Sequence, residues 1–127
     1  MSDDSLRLGD LPDDADPAAV ADAVEARADR DPARIAVDVD RTLTTGEGDP
    51  WWEDGLGAEP DEHVLDVVDE LYSRGHTIIV WTARPWRVAD ETVGWLTAHG
   101  VRYHGLRMEK GSSDVYLDDK AVNVERL

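Results

Sequence analysis

No cysteine occurs among the 127 residues, which excludes disulfides, thiolate metal centres and cysteine nucleophiles. Any metal site must use oxygen or imidazole ligands. No apolar run approaches the roughly 18 to 20 residues that a membrane-spanning helix requires, and the amino-terminal stretch is acidic where a secretion signal would be basic and then apolar. A cytoplasmic protein with no membrane attachment is expected. Positive charge is also scarce: 13 Lys plus Arg stand against 29 Asp plus Glu, and the only lysines are Lys110 and Lys120. A nonspecific nucleic-acid surface needs basic patches, and the sequence offers none.

The resulting formal net charge of -16 makes the chain repel itself in dilute buffer. At ~1 M salt the Debye length falls to ~3 Å and that repulsion is largely screened. The composition therefore suits a salt-rich, halophilic cytoplasm, the alternative being an ordinary acidic protein, since net charge speaks to milieu and solubility rather than to fold. The length corresponds to one domain with a real core. Residues 1–15, acidic and proline-containing, are expected to be a flexible terminus, and residues 16–127 a single folded unit.

Asp16-Pro17 supplies an N-cap carboxylate and a proline at the first helical position, and residues 18–29 have helical composition, closed by Asp31-Pro32. Residues 35–39 form an uninterrupted apolar run, the pattern of a central parallel strand. Residues 44–59 are rich in Gly, Trp and acid, show no period, and are expected to be a loop. A second helix opens at Pro60 and ends at Gly75, with Val64, Val67, Val68, Leu71 and Tyr72 on one stripe. Residues 76–81 repeat the buried-strand pattern, residues 82–85 turn, and residues 86–99 form a third helix stopped by Gly100. Short strands are expected at 101–103 and at 114–117, the latter ending in Asp118-Asp119. Strands alternating with helices imply an α/β, Rossmann-like domain with a mostly parallel sheet.

In such sheets ligands sit beyond the carboxyl ends of the strands. The residues falling there are Asp38, Asp40 and Thr42 after the first strand, Thr82 and Arg84 after the second, and Asp118 and Asp119 after the last. Two like charges ~4 Å apart repel by roughly 4 kcal/mol at an effective dielectric of ~20, so converging carboxylates call for protons, a cation, or both. Oxygen ligands with room for water suit Mg²⁺ best. A calcium loop is the competing account of the first group: Asp38, Asp40, Thr42, Thr44, Gly46 and Asp49 occupy its alternating ligand positions. However, Leu43 stands where that loop requires glycine, the last position is not Glu, and a strand precedes in place of a helix.

Asp38-Val39-Asp40-Arg41-Thr42, Thr82, Lys110 and Asp118-Asp119, in that order behind successive strands, resemble the four motifs of the haloacid dehalogenase (HAD) superfamily, specifically its phosphatases. The resemblance spans residues 34–123. It implies a Mg²⁺-dependent phosphoric monoester hydrolase acting on a small phosphorylated substrate. Asp38 resembles the nucleophile that forms an aspartyl-phosphate, and Asp40 the general acid and base. Thr82 resembles the phosphate-gripping hydroxyl and Lys110 the motif lysine, with Lys120 as the alternative. The family's metal ligands correspond to the Asp38 carboxylate, the Asp40 carbonyl and a late-strand carboxylate, Asp118 directly with Asp119 through water. Asn123 corresponds to an outer position. The short stretches at 44–59 and between Thr82 and Lys110 leave no room for a cap domain, so a capless form is implied, open enough for a bulky substrate or a covering second subunit in a homodimer. A noncatalytic metal- and phosphate-binding module, and a phosphotransferase using the same intermediate, are the alternative functions.

Other residues have more ordinary readings beside the functional ones. Thr82 also suits a helix N-cap. Thr42 and Arg84 are candidates for substrate contact, while Arg41 and Arg84 could equally be solvated charges. Trp51 and Trp52 form either a flap that stacks on substrate or a plug on the core; Trp81, Trp86 and Trp95 are expected in or near the core. His63, His76, His99 and His104 show no ligand spacing.

Overall fold

The structure, a computed structural model, describes residues 15–48 and 56–110. Helix α1 (Pro17–Glu25) begins as the sequence dictates, with Asp16 accepting the Ala18 N–H at 3.2 Å and Pro17 in the first turn. It stops at Glu25, short of residue 29, in tight turns that bond the Arg27 and Ala28 N–H groups to the Val24 and Glu25 carbonyls. Strand β1 (Arg34–Val37) leads into a wide turn at Val39–Leu43 that closes when the Thr44 N–H reaches the Val39 carbonyl. Strands β2 (Thr44–Gly48) and β3 (Ala58–Pro60) follow, then α2 (Glu62–Ser73), β4 (Thr77–Trp81), a 3₁₀ turn (Trp86–Val88), α3 (Ala89–Ala98) and β5 (Gly105–Arg107).

Strands β1, β4 and β5 form a parallel sheet in the order β1-β4-β5, with Val37 beside Val80 and Val80 beside Leu106. The fold is α/β, with helices flanking a parallel sheet. Buried apolar side chains come from every layer: Val20 and Ala21 of α1; Val64, Val67, Val68 and Leu71 of α2; Ile78 and Val80 of β4; Trp95 and Leu96 of α3. Each buried Val, Leu or Ile contributes roughly 1.5 to 3 kcal/mol when taken fully out of water, so the stripe on α2 is what fixes that helix to the sheet. No helix among the described residues is long and apolar enough to cross a membrane.

Two expectations need correction. Residues 44–59 are not wholly loop, because β2 and β3 pair antiparallel, with Thr44 opposite Pro60 and Gly48 opposite Ala58. Their sequences, TTGEG and AEP, carry no alternation, and the pairing rests on the backbone, including an Asp61 N–H to Leu43 carbonyl bond of 2.8 Å. Gly48 has φ +80, and a Cβ there would lie 2.2 Å from the Gly57 carbonyl oxygen, so only glycine fits this close approach. Consequently α2 begins at Glu62 behind the N-cap Asp61 rather than at Pro60, and it ends before Gly75 at φ +94.

The second correction concerns β5, expected at 101–103 and found at Gly105–Arg107. Residues 100–101 are used to close α3, with the Val101 N–H donating to the Leu96 carbonyl at 2.9 Å. Pairing with β4 starts only where the His104 N–H reaches the Ile78 carbonyl at 2.8 Å. The Val-Arg-Tyr triplet has the better strand propensity, but the exit geometry of the helix decides. The strand expected at 114–117 lies outside the described residues.

Candidate active site

The register of β1 against β4 places the ends of both strands side by side. Val37 pairs with Val80, so Asp38 and Thr82 leave the sheet from neighbouring strands at its carboxyl edge. Asp38 is half-buried, and one of its oxygens accepts the Val39 N–H at 2.8 Å. Asp40 and Thr42 follow in the wide turn, which is pinned from both sides: the Thr44 N–H bonds to the Val39 carbonyl and the Arg41 N–H to the Thr44 hydroxyl at 3.1 Å. Arg41 sits at φ 61, a left-handed conformation that costs a non-glycine residue about 1 to 2 kcal/mol, and its side chain lies across Gly46. Strand β2 begins at Thr44, so residues 38–48 are not the continuous interhelical loop that would bind calcium in the manner considered above.

Thr82 is fully buried, and its neighbourhood is knitted to the end of β5 and the residues just after it by three backbone bonds. The Thr82 N–H donates to the Arg107 carbonyl at 2.9 Å, the Glu109 N–H to the Arg84 carbonyl at 2.8 Å, and the Lys110 N–H to the Thr82 carbonyl at 2.9 Å. These bonds carry Lys110 to the same sheet edge, where its ammonium lies over the Trp81 ring, 5.0 Å from the centroid. The Thr82 hydroxyl accepts the Arg84 N–H at 3.2 Å, which leaves its own proton available to donate.

Arg84 is placed differently from a substrate-contacting or solvated charge. Its side chain is 1% exposed and turned inward, with Nε 3.0 Å from Asp40 Oδ2, Nη2 2.8 Å from Asp40 Oδ1, and Nη1 3.1 Å from the Thr92 hydroxyl. The Thr92 hydroxyl in turn donates to the Val88 carbonyl at 2.9 Å. A two-pronged guanidinium–carboxylate pair is among the strongest side-chain interactions available, and its planar geometry fixes both groups. Arg84 and Asp40 are 44 positions apart, and neither residue's local pattern announces the pair.

The structure therefore brings together Asp38, Asp40, Thr82, Arg84 and Lys110. Thr42, also expected at the site, is half-buried in the turn two residues beyond Asp40, and the other expected site residues, Trp51, Trp52, Asp118 and Asp119, lie outside the described residues, as do Lys120 and Asn123. Of the other tryptophans, Trp95 is buried as expected and donates from Nε1 to the Ala58 carbonyl at 2.9 Å, tying α3 to β3. Trp81 and Trp86 do not pack in the core: they are 41% and 57% exposed, Trp81 being the outward residue at the end of an alternating strand.

The Asp38 carboxylate and the Asp40 main-chain carbonyl are hard oxygen donors, chemically suited to Mg²⁺, whereas the Asp40 carboxylate is committed to Arg84. Among the described residues, a group of three acidic or histidine side chains close enough to share an ion is found elsewhere, at the opposite end of the sheet: Glu25, Asp31 and His76. His76 is 1% exposed; its Nδ1 accepts the Ala33 N–H at 2.8 Å and its Nε2 lies 2.6 Å from Glu25 Oε2. Nδ1 is thus an acceptor and Nε2 carries the proton it gives to Glu25. Both ring nitrogens are satisfied, and a metal on Nε2 would have to displace that proton while Nδ1 stays engaged. The group is a structural clasp that reasoning from histidine spacing missed. Arg74 completes it, reaching Asp22 at 2.7 Å, Glu25 at 2.6 Å and Glu70 at 3.3 Å.

No protein-family model and no curated protein matches the sequence. Among solved structures the chain is similar to the crystal structure of an MCSG target from Vibrio cholerae, at 26% identity and a TM-score of 0.55, covering 74% of this chain and 85% of that one. The description of that neighbour states no activity, and the likeness carries the α/β fold.

Proposed function

We propose that the chain is a Mg²⁺-dependent phosphomonoesterase of the HAD type, working through an aspartyl-phosphate on Asp38. The observation that supports this reading most is the meeting of Asp38 and Thr82 at the ends of adjacent parallel strands, with Lys110 bonded through its backbone to Thr82. A nucleophile, a hydroxyl donor and a cation at one sheet edge form the set that phosphoryl transfer needs. The motif order noted in the sequence supplies the rest of the case.

In this reading a carboxylate oxygen of Asp38 attacks phosphorus as the ester P–O bond breaks. The departing electron pair goes to the ester oxygen, which takes a proton from Asp40 and leaves as the alcohol. Water then attacks the phosphorus of phospho-Asp38 while Asp40 takes up its proton, releasing phosphate and restoring both carboxyl groups. Thr82 and Lys110 grip the phosphoryl oxygens in both halves. Mg²⁺ would be held by the Asp38 carboxylate, the Asp40 carbonyl and a carboxylate of the Asp118-Asp119 pair, and when bound it offsets the repulsion between Asp38 and the incoming phosphate.

The test is turnover of p-nitrophenyl phosphate and a panel of phosphate esters with Mg²⁺, at low and high KCl. Asp38→Asn, with folding retained, is expected to lose roughly 10³-fold or more in kcat. Undiminished turnover by a folded Asp38→Asn variant would overturn the mechanism, and absence of wild-type activity across the panel would favour a noncatalytic phosphate-binding module. Added acceptor alcohols separate hydrolysis from phosphoryl transfer.

A further inference from the structure

A guanidinium buried as deeply as that of Arg84 is costly to desolvate and persists only with a partner that compensates it. Among the described residues its charged partner is Asp40, gripped through both oxygens, while the third nitrogen is fixed by the Thr92 hydroxyl, itself anchored to the Val88 carbonyl. The asymmetry of exposure is informative. Arg84 is 1% exposed and the Asp40 side chain 40%, so the pair has a closed back and an open front. The backbone around Asp40 is pinned by the Thr44 N–H and the Thr44 hydroxyl, which leaves rotation of the Asp40 side chain as the freedom that remains. Arg84 removes that freedom.

We propose that Arg84 is a positioning residue for Asp40, holding the carboxyl group from behind so that its open edge stands at the sheet edge beside Asp38, oriented for proton transfer. This rests on the phosphatase reading and deepens it. The consequence is selective. An ester whose leaving group departs unaided needs little from Asp40, whereas a leaving group of high basicity needs a proton delivered in the correct geometry, a contribution worth about 10² to 10⁴ in rate. A misplacement of about 1 Å can cost about 10².

The experiment compares p-nitrophenyl phosphate, whose phenolate leaves without help, with phenyl phosphate, which needs protonation, on wild type and Arg84→Lys. Lysine keeps the charge and loses the two-pronged grip. The expected result is a roughly 10- to 100-fold fall in kcat/KM for phenyl phosphate and a change of at most about 3-fold in kcat/KM for p-nitrophenyl phosphate, because kcat/KM reports the ester-cleaving half-reaction and leaves out the hydrolysis of phospho-Asp38 that both esters share. Equal losses in kcat/KM on the two esters would overturn the proposal, because a merely structural role affects both alike. A rise in KM at unchanged kcat on both esters alike would overturn it too, in favour of direct phosphate contact. If Arg84→Lys fails to fold, Thr92→Val, which removes only the hydroxyl behind Nη1, is expected to lower the phenyl to p-nitrophenyl ratio in the same direction, and an unchanged ratio overturns the proposal. A wild-type protein inactive on both esters would sink the phosphatase reading together with this one, whereas an active wild type with equal losses in the variant sinks this one alone.

Discussion

His76 Nδ1 accepts the backbone N–H of Ala33 across 43 positions of sequence, at 2.8 Å, in a fully buried setting. That bond, with the one from Nε2 to Glu25, joins the chain just before β1 to the start of β4 and to the end of α1. Both parallel strands are thereby aligned at their amino ends, opposite the edge where Asp38 and Thr82 meet.

The first prediction concerns this clasp. His76→Leu keeps apolar volume but leaves the buried Ala33 N–H without an acceptor, which costs about 1 to 3 kcal/mol, and removes one of the two partners of Glu25, leaving it Arg74. Urea unfolding should show a midpoint lowered by about 2 kcal/mol in stability at unchanged slope. His76→Asn, whose amide oxygen can take the place of Nδ1 without reaching Glu25, is expected to recover part of the loss. Equal stability of wild type and His76→Leu would show that the clasp contributes nothing. Added Zn²⁺ is expected to leave the wild-type melt unchanged, because both ring nitrogens are engaged.

Acid should undo the same contact from the other side. The hydrogen bond from His76, aided by Arg74, holds the Glu25 carboxyl below its ordinary value despite the opposing effect of desolvation. A carboxyl group with a depressed folded-state pKa stabilises the fold above its unfolded value, and that contribution is lost as pH falls through the folded one. Stability should therefore fall on acidification through the carboxylate range, and Glu25→Gln should flatten part of that fall while being less stable than wild type near neutrality. A Glu25→Gln variant with an acid profile superimposable on that of wild type would contradict the assignment.

What the sequence made legible follows from where the information is local. The apolar run before Asp38 and the stripe on α2 are period-based signals, and they placed β1, α2 and β4 to within a residue or two. The places of Asp38, Asp40, Thr82 and Arg84 just behind the strands then indicated one sheet edge, because parallel connectivity sends strand ends to the same side, whereas Lys110 was indicated only by the motif resemblance. The pairing of Arg84 with Asp40 and of His76 with Ala33 depends on register between β1 and β4, which no local pattern encodes. The β2-β3 hairpin escaped for a related reason: its strands carry no hydrophobic alternation, and one of its contacts depends on the absence of a Cβ at Gly48. The exposed Trp81 and Trp86 show the limit of judging burial from residue type alone, since strand alternation sets the direction of Trp81.

The last prediction turns on the surplus of acid. Among the described residues Arg74 serves three carboxylates, Arg84 pairs with Asp40 and Arg102 reaches Asp69 at 2.8 Å, while the chain as a whole carries 29 acidic residues against 13 Lys plus Arg. Salt acts on both kinds of interaction. It weakens the exposed pairs, each worth about 0 to 1 kcal/mol, and it screens the summed repulsion of a net charge of -16. Repulsion among many charges should outweigh a few exposed pairs, so the melting temperature is expected to rise as KCl goes from 0.1 M to 1 M, where the Debye length shrinks from ~10 Å to ~3 Å. Most of the gain should come before that upper concentration, because screening is nearly complete there, whereas stabilisation by salt exclusion from apolar surface would keep growing. A midpoint insensitive to KCl would remove the case for a salt-rich cytoplasm, and a midpoint that falls would mean that the ion pairs around Arg74 outweigh the repulsion.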